Sequence, residues 1–291
     1  MILKKIPILI FYTVCLGKLN GCAQTKPMVL APSAAVATPI VSPSDSFKLE
    51  RIIPGSFNFM EVDVLNNLYI VTQTNQLKKL NPNGDSLAVF NDVKKYGNPT
   101  LIDVTNPLKT LLYYKNYATV VILDRLLSER NSINFRQQNI FSVKAIATSY
   151  DNNIWLFDEQ NLKLKKIDEL GKVLQETTDW RLIMDDVPSP ALIIDHNNFV
   201  YLYDPKKGFY TFDYYGTFKN NLPFLAWENV SVGSNRLYGF KGNQYLSYEL
   251  QSLNLKAYTM PDYFINYIGI RAMNGKVYLH TSNGIEIYSV L

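Results

Sequence analysis

The two histidines of this 291-residue sequence are the first candidates for a base or a metal ligand at neutral pH. His196 lies in the polar run 195–198, which predicts an exposed turn, and His280 lies in a strand-like run beside Thr281. No HxxxH, HExxH or Cys/His cluster accompanies them, and zinc sites need such closely spaced ligands. The sequence therefore excludes zinc chemistry and leaves a ligand role for His280 as a minority interpretation.

Carboxylates are the second group that could carry chemistry, because Ca²⁺ takes about six to eight oxygen ligands that converge on one point. The acidic residues available for such a site are Asp103, Asp185, Asp186, Glu228 and Asp262. Nothing in their spacing marks them for convergence, and an Asp pair in a polar loop is typical of a solvated loop. A calcium-dependent hydrolase is therefore an alternative and not the preferred interpretation.

The segment 179–190, DWRLIMDDVPSP, is the longest predicted loop between strand-like runs. It combines Trp180 and Arg181 with the acidic pair Asp185-Asp186 and two prolines. Trp and Arg are the residue types most enriched at interface hot spots, so the segment predicts a semi-rigid binding projection. An equally good interpretation is that Trp180 caps the core between two neighbouring structural units.

The elements that must position these residues repeat about every 40 residues. Similar strand-like triplets are centred on Tyr69, Leu112, Trp155, Tyr201, Tyr238 and Tyr278. The steps between these centres are 43, 43, 46, 37 and 40 residues. Short strands separated by Asn, Asp and Gly turns at this period are typical of the four-stranded blades of a β-propeller. The sequence therefore predicts an all-β fold with six blades, with seven blades as the alternative.

The last repeat contains three strands only, the third being the run 285–288, whereas one more strand-like run, 47–52, precedes the first repeat. An N-terminal strand that completes the last blade would close the ring and remove two exposed sheet edges. The connections between blades and the turns between second and third strands would then share one face. The residues predicted to form a partner-binding surface there are Tyr117, Trp180, Arg181, Asp185, Asp186, Lys206, Lys207, Trp227, Tyr263 and Phe264.

The stretches 63–85 and 151–171 resemble NHL-type repeats, with Asp, Asn and Gly at the turns and apolar strands between them. The resemblance extends from residue 55 to the end of the chain. It implies the propeller fold, and it implies hardly anything about activity, because the shared residues are turn and core residues.

The first 22 residues predict export. Lys4 and Lys5 precede the apolar run 6–16, which is too short for the roughly 20 residues that span a bilayer. The sequence Leu19-Asn20-Gly21-Cys22 resembles a bacterial lipobox. This resemblance implies a signal peptide at 1–21 and a diacylglyceryl lipid on Cys22, with no other cofactor. The Pro-, Ala- and Ser-rich run 22–46 would be a flexible tether, and 47–291 a single propeller domain.

The cysteine content and the net charge limit which chemistry and which partners the sequence supports. Cys15 lies in the predicted signal peptide, so lipidation of Cys22 would leave no thiol for a disulfide. The formal net charge of +4 includes three lysines in residues 1–21, and removing them leaves 26 basic against 25 acidic residues. Nucleic-acid binding depends on a basic surface, so a nucleic-acid partner is not expected.

These features favour a non-catalytic, lipid-anchored propeller that binds an envelope protein of a Gram-negative cell, in outer-membrane assembly or secretion. The architecture is similar to that of the propeller lipoprotein of the outer-membrane barrel-assembly machinery. Residues 23–26 lack an acidic cluster, which favours the periplasmic face of the outer membrane, with the cell surface as the alternative. Two other functions stay open. Exposed members of the 20 tyrosines could bind glycan or peptidoglycan, and converging carboxylates could make a calcium-dependent, lactonase-like hydrolase.

Overall fold

The computed structural model describes residues 46–91, 93–264 and 266–291, and these residues form a six-bladed β-propeller. Each blade is a four-stranded antiparallel sheet. The predicted signal peptide, the lipidation site Cys22 and the tether up to residue 45 lie outside the described residues. The all-β, six-bladed prediction is confirmed.

The strands follow the chain from blade to blade. Blade 1 contains β2 (Phe57–Val62), β3 (Leu68–Thr72), β4 (Leu77–Leu80) and β5 (Ser86–Phe90). Blade 2 contains β6 (Leu101–Asn106), β7 (Lys109–Tyr114), β8 (Thr119–Asp124) and β9 (Glu129–Asn134). Blade 3 contains β10 (Val143–Thr148), β11 (Ile154–Asp158), β12 (Lys163–Ile167) and β13 (Val173–Glu176).

The second half of the ring repeats this order. Blade 4 contains β14 (Leu192–His196), β15 (Phe199–Asp204), β16 (Gly208–Asp213) and β17 (Phe218–Leu222). Blade 5 contains β18 (Glu228–Gly233), β19 (Arg236–Lys241), β20 (Gln244–Glu249) and β21 (Asn254–Thr259). Blade 6 contains β22 (Gly269–Met273), β23 (Lys276–Thr281), β24 (Gly284–Val290) and β1 (Phe47–Pro54). Short helical segments of the described residues include α1 (Val93–Tyr96) and the 3₁₀ turns Lys115–Tyr117, Phe135–Gln138 and Trp180–Leu182.

The six triplets used as repeat markers all lie in the second strands of the blades, β3, β7, β11, β15, β19 and β23. These strands are buried almost throughout, as in β7 and β11, where every residue is buried. A second strand has a neighbouring blade on each of its two faces, so both sets of alternating side chains face a core. This is why the second strands carry continuous apolar runs and not an alternating pattern.

The N-terminal strand closes the ring as predicted. Strand β1 pairs with β24 from Phe47↔Val290 to Pro54↔Gly284, and this pairing supplies the fourth strand of blade 6. Two of its apolar side chains, Phe47 and Ile53, enter the cores on opposite sides of the blade, whereas Leu49 and Ile52 are exposed. Phe47 packs between blades 5 and 6, and Ile53 packs between blades 6 and 1.

A recurring turn explains the Asp and Gly positions of the repeat. In the turn after β12, Asp168 Oδ1 accepts hydrogen bonds from the backbone N–H groups of Leu170 and Lys172, and Gly171 has a φ of 88°. Asp63, Asp124 and Asp213 make the same pair of bonds in their turns. A side-chain carboxylate that caps two N–H groups, followed by a residue that tolerates positive φ, fixes such a turn.

Antiparallel strands give the ring two distinct sides. The turns between first and second strands and between third and fourth strands lie on one side, which we call the turn side. The turns between second and third strands and the connections between blades lie on the other, which we call the connection side. The partner-binding residues predicted from the sequence belong to the connection side.

Candidate functional site

A cavity of about 360 Å³ occupies the centre of the ring. Its walls come from the first strands of the blades and are largely apolar, with Val62, Ile102, Ile193, Val232 and Met273 among them. This volume is in the range of small-molecule pockets, which are typically about 300–1,000 Å³. The ring therefore contains a preformed site whose specificity depends on the few polar groups in its wall.

The main polar group in the cavity wall is an ion pair that joins three blades. Arg271 Nε donates to Glu61 Oε1 at 2.8 Å and to Oε2 at 2.9 Å, so blade 6 is bonded to blade 1. Arg271 Nη1 donates to Asn229 Oδ1 at 2.5 Å and to the carbonyl of Ile270 at 2.9 Å, and Asn229 belongs to blade 5. The side chains of Arg271 and Glu61 each keep about a fifth of their surface exposed. A bound molecule could therefore contact a charged pair that is already neutralised.

Asp103 also lines the cavity, but its carboxylate is committed to holding two blades together. It accepts hydrogen bonds from the backbone N–H and hydroxyl of Thr105 in its own blade and from those of Thr148 in blade 3. Of the acidic residues considered for calcium, Asp185, Asp186, Glu228 and Asp262 do not line this cavity. Within the described residues, no group of three or more His, Cys, Asp or Glu side chains is placed to hold a metal ion.

Neither histidine is an exposed surface residue. His196 ends strand β14 and is half-buried, so the prediction of an exposed turn residue is wrong. His280 is buried in β23, a second strand, and does not line the central cavity. Burial lowers the pKa of both imidazoles below the usual value, because desolvation penalises the charged form. Nε2 of each ring has no hydrogen-bond partner among the described residues.

The lowered pKa of His280 predicts a stability that depends on pH. As the pH falls, the imidazole of the unfolded chain binds a proton before the buried imidazole of the folded protein does. The stabilisation of the folded state by the neutral ring is therefore complete above the unfolded pKa of about 6.5 and is lost as the pH falls below it. Each such group changes the free energy of unfolding by up to about 1.4 kcal/mol per pH unit. Urea unfolding of the wild type and His280→Phe between pH 7.5 and 5 should show a shallower loss in the variant. If the free energies of unfolding of the two proteins fall in parallel with pH, His280 is not the source of the pH dependence.

Three of the predicted partner-binding residues are core residues. Trp180 has an exposed fraction of 0%; its ring stacks on Phe212 with centroids 5.1 Å apart, and Nε1 donates to Thr177 Oγ1 at 3.1 Å. Trp227 is buried against Phe224 and borders the central cavity, and Phe264 is buried against Phe47 and Tyr288. Their aromatic rings are packed between blades, so these three side chains cannot serve as exposed binding anchors.

The other predicted residues do reach the surface of the connection side. Tyr117, Arg181, Asp185, Asp186, Lys206 and Tyr263 are exposed and Lys207 is half-exposed. The structure brings two of them together, because Lys207 Nζ bonds to the Asp186 carboxylate and donates to the carbonyl of Val187 at 2.7 Å. Arg181 pairs with Asp179, its neighbour in the same connection.

The ion pair in the cavity was not predicted from the sequence. Glu61 and Arg271 are separated by 210 positions and meet only because the last blade packs against the first. Each is the one charged residue of a mainly apolar strand, FNFMEV or GIRAM. A charge within a first strand is a weak signal for such residues, because Lys144, Asp195 and Glu228 carry it too and do not line the cavity.

Comparison with known proteins bears on the fold. No protein-family model matches the chain, and no curated protein matches it significantly. A catalytically inactive virginiamycin B lyase from Staphylococcus aureus, solved with quinupristin, has a TM-score of 0.56 at 12% identity, over 84% of this chain and 100% of that chain. The β-propeller domain of Cps50 (Swd1) from Myceliophteria thermophila has a TM-score of 0.54 at 9% identity, over 84% and 100%.

A third similar structure is PorZ, a surface component of the type-IX secretion system of Porphyromonas gingivalis. It has a TM-score of 0.50 at 11% identity, over 81% of this chain and 32% of that chain. At such identities these likenesses define the class of protein, a β-propeller, and nothing finer. In the described part of the chain, no helix has the length and apolarity needed to cross a bilayer.

Proposed function

We propose that this protein is a lipid-anchored, non-catalytic β-propeller that binds a protein of the cell envelope through its connection side. The proposal rests on large apolar side chains exposed there. Four successive connections between blades, from blade 2 to blade 6, each expose at least one. These side chains are Phe141, Leu182, Leu225, Tyr263 and Ile268.

Most exposed leucines of the turn side have a different origin. Leu65, Leu126 and Leu170 occupy the second position after the capping Asp in the recurring turn, where the backbone directs the side chain outward. Leu108 occupies the same position after Asn106, and Leu253 lies in the turn between β20 and β21. The connections differ from one another in length and sequence, so no shared turn geometry accounts for their exposed residues. Apolar exposure in such irregular segments is the feature expected of an interaction surface.

Two exposed tyrosines on this side are held in place by their neighbours. Tyr117 packs edge-on against Tyr96 with ring centroids 5.9 Å apart, and Tyr263 packs edge-on against Phe264 at 5.3 Å. A rigid aromatic side chain loses little conformational entropy on binding, which makes it an effective anchor. Tyr117 and Tyr263 therefore supply preformed contacts for a partner.

The similar structures include both enzymes and components of assemblies, so the fold does not choose between these roles. The virginiamycin B lyase is an enzyme, whereas PorZ is a component of a secretion system. The central cavity favours a second candidate function, the binding or cleavage of a small molecule beside Arg271 and Glu61. The proposed lipid on Cys22 and the outer-membrane location follow from the lipobox-like sequence.

An affinity pull-down from detergent-solubilised membranes tests the proposal with a matched pair of variants. Leu182→Asp places a charge on the connection side and Leu170→Asp places one on the turn side; both leucines are 77% exposed in the wild type. We expect the wild type and Leu170→Asp to retain a defined membrane protein and Leu182→Asp to lose most of it, at least about tenfold.

In the same preparation, Cys22→Ala should move the protein from the membrane to the soluble fraction.

Two outcomes would count against the proposal. Recovery of the wild-type protein alone would remove the scaffold role and favour the central cavity as the functional site. Equal loss of the captured protein in Leu170→Asp and Leu182→Asp would show that the contact does not depend on the connection side.

A further inference from the structure

A second, smaller cavity of about 270 Å³ lies on the turn side. The turns between the first and second strands of blades 2, 3 and 4 form its wall, together with Tyr214 from the turn that follows β16. Its lining is polar and aromatic, in contrast to the apolar walls of the central cavity. The chemistry of this lining differs enough to imply a different ligand.

An aromatic platform forms one wall of the turn-side cavity. The rings of Tyr150 and Tyr214 are stacked with centroids 4.2 Å apart and planes inclined by 6°. Tyr150 is nevertheless 63% exposed, so the surface that it shows to solvent belongs to the face and edges not covered by Tyr214. The covered face keeps the Tyr150 ring rigid, and the uncovered face is available to a flat apolar surface of a ligand.

A fixed carboxylate joins the platform to the polar wall. Asp195 Oδ1 accepts a hydrogen bond from the Tyr214 hydroxyl at 2.7 Å. Its Oδ2 accepts bonds from Trp155 Nε1 at 2.8 Å, Ser149 Oγ at 3.0 Å and the Tyr150 backbone N–H at 3.3 Å. These bonds connect blade 4 to blade 3 and leave the carboxylate held from several directions. Oδ2 has no acceptor capacity left, whereas Oδ1 accepts one bond and is preorganised to accept a further one from a ligand without rearrangement.

Planar amides and an imidazole complete the wall. Asn106 donates to Asn152 at 3.2 Å, and Asn197 donates to Asn235 at 2.9 Å, so both amides are anchored to the next turn. His196 also lines this cavity, and its Nε2 has no partner among the described residues. This nitrogen is itself buried from solvent, so His196 contributes ring surface to the wall and no hydrogen bond to a ligand.

The cavity has little net charge to offer an ionic ligand. Lys166 lies beside the platform, with Nζ 5.0 Å from the centroid of the Tyr150 ring, but it is paired with Asp151 at 2.5 Å. The Asp195 carboxylate is compensated by the donors that surround it. A ligand with one apolar face and several neutral hydroxyl groups fits this arrangement better than an anion or a cation.

We propose that the turn-side cavity binds one pyranose ring of a neutral carbohydrate. The C–H face of the sugar would stack on Tyr150, and its hydroxyl groups would bond to Asp195 and the amides of Asn106 and Asn197. This activity is independent of the proposed partner contact, because the two surfaces lie on opposite sides of the ring. It gives the propeller a means to contact cell-wall or surface glycan while the connection side is occupied.

Saturation-transfer NMR and isothermal titration with glucose, galactose, mannose and N-acetylglucosamine test this proposal on the full chain in detergent. We expect at least one of these sugars to bind the wild type. Tyr150→Ala should weaken that binding about tenfold or more, because it removes the platform, whereas Tyr150→Phe should retain it within about twofold. Asn197→Ala should produce an intermediate loss.

Tyr215→Ala is the matched control. Tyr215 is 88% exposed and follows Tyr214 directly, but it does not line the cavity. Binding that is lost in Tyr150→Ala and kept in Tyr215→Ala, with unchanged circular dichroism for both, supports the site. The proposal is overturned if none of the four sugars binds the wild type, or if the two alanine variants weaken binding equally.

Discussion

Replacing Gly284 by valine is expected to lower the free energy of unfolding by about 3 kcal/mol or more, because it opens the ring. Gly284 has a φ of 145°, a backbone angle that residues other than glycine rarely adopt. A Cβ at this position would lie 2.2 Å from the carbonyl oxygen of Ile53 and 2.9 Å from Cα of Pro54. Both are backbone atoms of β1, so relief requires β1 to move away from β24. Urea denaturation monitored by tryptophan fluorescence measures the loss.

The consequence of opening extends beyond one hydrogen-bonded pair. Ile53 would leave the core that it shares with Met60, Tyr278 and Ile285, and β24 would become an exposed edge strand. Gly242→Asn is the control, since a Cβ there meets no atom within 4 Å and asparagine tolerates its φ of 55°. A Gly284→Val protein as stable as Gly242→Asn would show that the closing strand contributes little.

The ring could be predicted from the sequence because its information is local and repeated. The second strands carry apolar runs, and the Asp and Gly positions of the turns recur at the same places, so each blade supports the interpretation of the next. The closing strand was predicted by a physical argument of another kind. A three-stranded last blade would leave an open edge, and the run 47–52 was the free strand available to cover it.

The sites were harder to predict because they depend on contacts between distant residues. Glu61 and Arg271 meet across the closure of the ring, and Asp195 meets Trp155 from the preceding blade. No periodic pattern within one blade encodes such pairs. Trp180 shows the related difficulty, since a tryptophan in a connection has the same sequence signature whether it caps a core or projects outward. Its stacking on Phe212 depends on how blades 3 and 4 pack together, which the local sequence does not show.

Replacing Trp180 by alanine is therefore expected to act on the fold and not on a binding surface. The side chain is fully buried between blades 3 and 4, where it contacts Phe157 and Phe212. Truncation of a buried tryptophan leaves a cavity and typically costs about 3–5 kcal/mol. Thr177 Oγ1 also loses the hydrogen bond from Nε1. We expect a clear fall in the urea midpoint, with weaker near-ultraviolet circular dichroism from the altered aromatic packing.

Leu182→Asp, two residues further along the same connection, separates stability from recognition. Leu182 is largely exposed, so its replacement should change the free energy of unfolding by less than about 0.5 kcal/mol. If Trp180→Ala unfolds early while Leu182→Asp stays stable but loses the captured partner, the connection has a buried half that positions it and an exposed half that binds. Unfolding curves for Trp180→Ala that match the wild type would contradict the packing described here. In that case a loss of partner by Trp180→Ala would have to arise from direct contact.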